Sequence, residues 1–219
     1  MKSHTNHKQI VDALLKDHGT TFCAELAIDI EKNTPAPLFM WLCTSMLLSA
    51  RIRSDIAVAA AHALFRNGWT TPEKMADSRW EDRTRTLNGA GYARYDESTA
   101  RMLKDTTSLL LEEYRGDLRV LRDAADYDVA EERRRLEEFK GIGDVGADIF
   151  FREAQVVWDE LYPFADKKAL KAAGRLGLPE TAEGLAKLVS RRKFPTLLAA
   201  LVRTDLKHDY DEIIQHAAA

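Results

Sequence analysis

The sequence predicts an all-α protein. Three observations carry that prediction. Apolar residues recur at helical spacing along nearly the whole chain, turn residues interrupt them at regular intervals, and no convincing run alternates with the period of two that a half-buried strand needs.

Helices are expected near residues 7–17, 21–32, 37–49, 54–67, 72–78, 80–86 and 93–115 in the first half of the chain. The second half is expected to hold helices near 117–124, 128–139, 144–159, 166–176, 181–190, 194–204 and 208–217. The breaks between them are chemical. Asn33-Thr34-Pro35-Ala36-Pro37, Asn67-Gly68, Asn88-Gly89-Ala90-Gly91, Gly116-Asp117 and Gly177-Leu178-Pro179 are all turn formers. Thr71 ahead of Pro72 sets a cap before a first-turn proline. Thr181 with Glu183 close behind has the character of a capped helix start. The chain shows no internal repeat and no low-complexity linker. Its best points of division into two helical lobes are the proline-rich break at 34–37 and the segment after Leu161.

The 219 residues are 45% hydrophobic and 31% charged, enough for one large core or two small ones in a charged, helix-rich protein. No apolar run approaches the roughly 20 residues that span a bilayer. Met1 to Asp17 mixes His, Lys and polar residues without a signal-peptide core, so a cytoplasmic location and no membrane partner are expected. Cys23 and Cys43 lie far apart among apolar residues and read as two buried thiols rather than a disulfide framework or metal cluster. The net charge of −3 argues mildly against a general nucleic-acid coat, but cations cluster locally. Arg133-Arg134-Arg135, Lys167-Lys168 with Lys171 and Arg175, and Arg191-Arg192-Lys193 are basic groups that serve equally as solvated helix faces or as ligand contacts.

Lys140-Gly141-Ile142-Gly143-Asp144 is the most informative stretch. It separates two short amphipathic runs, one with Leu136 and Phe139, the other with Val145, Ala147, Ile149 and Phe150. Such a hairpin leaves backbone N–H groups free at the start of its second helix, here with Val145 and Gly146 in the first turn. Its glycines permit positive φ and close approach. The partial positive charge of a helix start lets the turn hold a phosphate without reading sequence. Gly-x-Gly turns also end helices for packing reasons alone. The hairpin carbonyls are donors that a monovalent cation would take.

Further motifs stand in a fixed order around the hairpin. Leu47-Leu48-Ser49-Ala50-Arg51 and Gly89-Ala90-Gly91-Tyr92 precede it; Asp166 lies 23 residues after Gly143 and nine before Arg175, which opens Arg175-Leu176-Gly177-Leu178. Over roughly residues 37–178 this order resembles the helix-hairpin-helix DNA glycosylases of the endonuclease III superfamily. The resemblance implies an all-α, two-lobed fold, with a six-helix lobe at 37–157 and a second helical lobe from 1–36 and 158–219. A base flipped out of duplex DNA would enter between the lobes. The implied partner is double-stranded DNA with a damaged base or an abasic site, bound by a monomer that associates with the nucleoid through DNA.

By the same resemblance Asp166 is the catalytic carboxylate. Breaking an N-glycosidic bond builds positive charge on the sugar, and a carboxylate beside it stabilises that charge. An aspartate in this place is also a good helix N-cap, and the two roles are compatible. The departures from the family pattern matter. Bifunctional members carry a Schiff-base lysine two positions after the second glycine, where this chain has Val145, so a monofunctional, water-using enzyme is implied. Lys167 and Lys168 replace Thr-His after the aspartate and are expected to bind phosphate; a displaced lyase lysine is the other role open to them. With no cysteine after Cys43, the family's iron–sulfur cluster and any other cofactor are not expected. Trp41-Leu42-Cys43-Thr44 has threonine where the adenine-specific branch needs glutamate, so excision of adenine opposite oxidised guanine is not expected. Arg51 replaces a glutamine that fills the gap left by the flipped base; it is equally a surface arginine at a helix end. Phe39, Trp41, Trp69 and Tyr92 are candidates to stack on that base or, at helical spacing, to pack in the core. Alkylated purines are the favoured substrate. The alternatives are a catalytically silent DNA-binding protein of the same fold and an abasic-site lyase using Lys167 or Lys168.

Overall fold

The computed structural model describes residues 6–218. The first residues of the N-terminal segment read above for a signal core lie outside that range. Among the described residues the chain is helical, without strands. Among these residues no helix is long and apolar enough to cross a membrane. The chain divides into two units, one joining Met1–Glu25 to Phe151–Ala219 and the other comprising Leu26–Phe150. The sequence reading drew these limits at 36/37 and 157/158.

The unit Leu26–Phe150 is built on α3 (Pro35–Ser49), which starts with proline at its first position. This helix is apolar on every side and accordingly buried, with Leu38, Phe39, Trp41, Leu42, Cys43 and Leu47 all closed to solvent. Around the core run α4 (Ser54–Arg66), α5 (Pro72–Ala76), α6 (Trp80–Gly89), α7 (Asp96–Tyr114), α8 (Leu118–Ala124) and α9 (Val129–Leu136). α4 and α8 pack on α3, and α7 packs on α5 and α6.

The other unit centres on α13 (Phe194–Lys207), whose Leu197, Leu198, Ala200 and Leu201 are fully buried. It packs against α1 (His7–His18) and α11 (Lys167–Arg175), and α14 (Tyr210–Ala218) packs on α1. Asn6 and Gln9 form a reciprocal capping box at the start of α1. Two histidine–aspartate pairs brace the same region, His18–Asp209 at 2.8 Å and His216–Asp17 at 2.6 Å. The short α12 (Ala182–Ala186) is capped by the Thr181 hydroxyl, which accepts the Gly184 N–H.

Several expected helices are cut short: 128–139 forms only α9 and 181–190 only α12, and two further cases have a visible cause. The run 21–32 forms only α2 (Phe22–Glu25) and a 3₁₀ turn at Ile30–Lys32, because Ala27 adopts φ 55° between them. Leu26, Ile28 and Ile30 are all buried, a spacing of two that a continuous helix could not turn inward. The run 144–159 ends early, as α10 (Asp144–Ala154). There the Gln155 side-chain amide donates to the Arg152 and Phe164 carbonyls, and its oxygen accepts the Phe164 N–H at 3.0 Å. Cys23 and Cys43 are free, buried thiols, and burial pushes both above the usual thiol range.

Candidate functional site

The hairpin joins α9 to α10. Gly141 has φ +85°, and a Cβ there would stand 2.9 Å from Met102 Sδ and 3.0 Å from Met46 Cγ. Both conformation and space therefore demand glycine. Phe139 and Ile142 are buried and pin the turn to the core. Gly146 lets Ile142 lie against the first turn of α10, since a Cβ would meet Ile142 Cγ2 at 3.3 Å. The Gly143 carbonyl accepts the Ala147 N–H at 2.9 Å, which makes Gly143 the residue before the first helical turn.

The N–H groups of Gly143, Asp144, Val145 and Gly146 have no acceptor among the described residues. They are the free donors of a helix N-terminus. Gly143, Asp144 and Val145 are exposed, Val145 to 58%. Asp144 is an acid beside these donors, but its Oδ1 accepts a hydrogen bond from Arg133 at 2.9 Å. Arg133 also donates to Asp148 Oδ1 at 2.6 Å, so one guanidinium from α9 neutralises both acids on this side of α10. Lys140 is exposed, and its carbonyl accepts the Thr106 hydroxyl at 2.9 Å. The Ser49 hydroxyl reaches the Gly141 carbonyl at 3.5 Å, which places the Leu47–Arg51 segment against the hairpin. These carbonyls keep one lone pair each. Arg51 is exposed, and its side chain makes no hydrogen bond or ion pair among the described residues.

Asp166 stands in the other unit, at the N-cap of α11. Its Oδ1 accepts the N–H groups of Lys168 at 2.9 Å and Ala169 at 3.1 Å. Its Oδ2 accepts from Arg152 Nε at 2.6 Å. The pair is closed off, with side-chain exposures of 5% for Arg152 and 3% for Asp166. Arg152 is the partner that sequence reasoning missed. The available signal was an Arg-Glu pair directly after Ile149-Phe150-Phe151, where a buried charge requires a counter-charge. Its neighbour Glu153 is buried too, and accepts the N–H of Phe22 at 2.7 Å and of Cys23 at 2.9 Å. Burial holds the Glu153 carboxyl above the usual carboxylate range, against the pull of those N–H groups and of Arg152.

α11 buries Ala169, Ala172 and Ala173 and turns Lys167, Lys168, Lys171 and Arg175 outward. Lys168 and Arg175 each lie 3.7 Å from Asp205, and the Arg175 guanidinium also covers the Tyr210 ring. The Lys167 side chain is exposed and has no partner among the described residues.

Three of the four aromatic candidates for stacking on a base are core residues. Phe39 and Trp41 are fully buried in α3, and the Trp41 indole donates to the Phe150 carbonyl at 2.9 Å. Tyr92 is buried with its hydroxyl donating to the Leu47 carbonyl at 3.2 Å, and burial pushes its phenol up to about 12. All three side chains are closed to solvent, so none offers an open ring face. Trp69 is half-buried and lines a shallow depression of about 370 Å³ with Lys74 and Asp77. Two buried cysteines do not fit a cluster that needs four thiolates.

No protein-family model and no curated protein sequence matches the chain. Solved structures similar to it include two endonuclease III–DNA complexes. A trapped endonuclease III–DNA covalent intermediate, in its estranged-adenine complex, is 17% identical with a TM-score of 0.48, over 74% of this chain and 71% of that one. A non-covalent endonuclease III–DNA complex is 18% identical with a TM-score of 0.55, over 89% of this chain and 81% of that one. The second likeness, joined to the all-helical course of the chain and its hairpin, establishes the architecture: the protein has the all-α, helix-hairpin-helix fold of endonuclease III.

Proposed function

We propose that this protein is a monofunctional base-excision DNA glycosylase, one that hydrolyses the N-glycosidic bond of a flipped, damaged base in duplex DNA. The observation that carries the reading is the start of α10. Four N–H groups stand without acceptors there, and the adjacent acid is tied to Arg133. This is a phosphate site that does not read sequence. The endonuclease III structure of the same fold is a DNA complex, which supports DNA as the ligand. Lys140 and the outward lysines of α11 supply further backbone contacts, and Arg51 has a free guanidinium with which to fill the gap left by the flipped base.

Asp166 is assigned the stabilisation of positive charge on the sugar. Its oxygens already accept three hydrogen bonds, so its contribution is its charge rather than proton abstraction. At about 4 Å and an effective dielectric near 20, one such contact is worth on the order of 4 kcal/mol, close to a thousandfold in rate. Arg152, 2.6 Å away, takes back part of that field. A damped carboxylate suits a base that leaves easily, and alkylated purines already carry positive charge. Val145 supplies no amine where bifunctional enzymes place one, which favours a water-using reaction. The enzyme is taken to act as a monomer in the cytoplasm, without an iron–sulfur cluster.

The Arg152–Asp166 pair also favours a second reading, a structure-specific DNA-binding protein that releases no base. One experiment separates the two: base release from duplexes with alkylated, oxidised, deaminated or mismatched bases, by wild type and Asp166→Asn. Asparagine keeps the N-cap but not the charge. The glycosylase reading expects release of an alkylated base, abolished in Asp166→Asn while salt-sensitive DNA binding persists. Full activity in Asp166→Asn removes the role assigned to Asp166. Tight binding with no release across the panel establishes the second reading, and a borohydride-trapped adduct on abasic DNA moves the chemistry to Lys167 or Lys168.

A further inference from the structure

A depression of about 640 Å³ opens between α4 and α6, wholly within the unit Leu26–Phe150. Ala59, Ala63 and Gly89 are among the residues that line it, and nothing lies within 4 Å of the place a Cβ would take on Gly89. His62, Arg66 and Arg85 line it as well, and no acidic side chain does. His62, Arg66 and Arg85 are exposed. The side chains of His62 and Arg66 make no hydrogen bond or ion pair among the described residues. Arg85 gives one N–H to Asp82 at 3.2 Å, and a guanidinium has five to give.

The shape and the chemistry agree. The depression is open rather than enclosed, so a ligand would lie across it. The small lining residues leave room for a flat ring, while two guanidinium groups match the oxygens of a phosphate ester. We propose that the α4–α6 depression is a nucleoside-phosphate site, with the phosphate held by Arg66 and Arg85 and the sugar and base laid over Ala59 and Ala63. The phosphate ester belongs either to a DNA strand or to a free nucleotide. The site uses neither the hairpin nor Asp166, so it does not depend on the glycosylase reading.

The test has two arms, neither of which reads base release. Calorimetry measures deoxyadenosine monophosphate against deoxyadenosine and inorganic phosphate. Salt titration measures the slope of log K against log salt for a short duplex. Each arm compares the wild type with Arg66→Gln/Arg85→Gln and with Ala59→Glu, all surface changes whose folding is checked by melting. For a free nucleotide, affinity for the monophosphate falls about tenfold or more in both variants. For a DNA strand, the arginine variant flattens the salt slope by about one unit per lost phosphate contact, and Ala59→Glu weakens binding. A response in either arm supports the site and names its source. Folded variants that match the wild type in both arms overturn it.

Discussion

Replacing Arg152 by methionine leaves the Asp166 carboxylate buried beside an apolar side chain. The two groups are 2.6 Å apart with side chains 5% and 3% exposed, so water cannot take the place of the lost partner. Breaking such a pair from one side costs about 3–5 kcal/mol, because an uncompensated charge stays inside. Asp166→Leu costs a similar amount and adds roughly 1 kcal/mol for the lost N-cap of α11. Removing both charges together is different. Arg152→Met/Asp166→Leu loses the cap and little else, an expected cost of roughly 1–2 kcal/mol against a summed cost of roughly 7–11 from the two singles. For a chain of this size each kcal/mol moves the melting temperature by about 2–4 °C, so Arg152→Met melts roughly 6–20 °C lower and Asp166→Leu roughly 8–24 °C lower, while the double variant loses roughly 2–8 °C. Urea unfolding of the four proteins gives the coupling energy directly. Additivity within about 0.5 kcal/mol would refute the buried pair, since it would mean that neither charge depends on the other.

Three further outcomes follow from the same geometry. Val145→Lys, at a position 58% exposed, should fold as the wild type does and should form a borohydride-trapped adduct with abasic DNA; a folded variant that traps nothing shows that this position does not face the sugar. Glu153 has its pKa raised by burial, so the folded state holds that proton to higher pH than the unfolded chain. Its contribution is complete below the unfolded value of 4.5 and is lost as pH rises through the folded value, so Glu153→Gln should flatten the fall of stability above pH 4.5, and parallel curves for the two proteins would contradict the assignment. Gly141→Ala forces a side chain into positive φ and against Met102 and Met46, which should cost about 1–3 kcal/mol in urea unfolding and weaken duplex binding; an unchanged midpoint would show the turn to be adaptable.

What the sequence discloses here is local. Gly141 and Gly146 announce their roles because a turn conformation and a close approach restrict the residue type at one position. α3 shows its burial in an unbroken apolar composition. The pairing of Arg152 with Asp166 does not announce itself, because no rule of spacing links residues on opposite sides of an irregular segment. Nor does the capture of the Phe22 and Cys23 N–H groups by Glu153, 131 and 130 positions away. That contact supplies a cap at the start of α2 that no neighbouring residue predicts. Phe39, Trp41 and Tyr92 show the limit from the other side. An aromatic at helical spacing is the same in sequence whether its ring meets a ligand or a leucine, and it is burial in the folded unit that decides it, with the hydrogen bonds of Trp41 and Tyr92 in agreement.

The Gln155 side chain stands in for a length of backbone. Its amide pairs with both the N–H and the C=O of Phe164, as one strand pairs with another, and Asp166 follows two residues later. The position of the carboxylate is thus metered from the end of α10 by a side chain rather than by the loop it closes. Arg152, one turn earlier on the same helix, holds the carboxylate itself at 2.6 Å, so α10 fixes Asp166 twice, and a change at Gln155 would loosen the approach at Phe164 while the Arg152 contact remains. In hydrogen exchange the Phe164 amide would serve as the gauge of that tether.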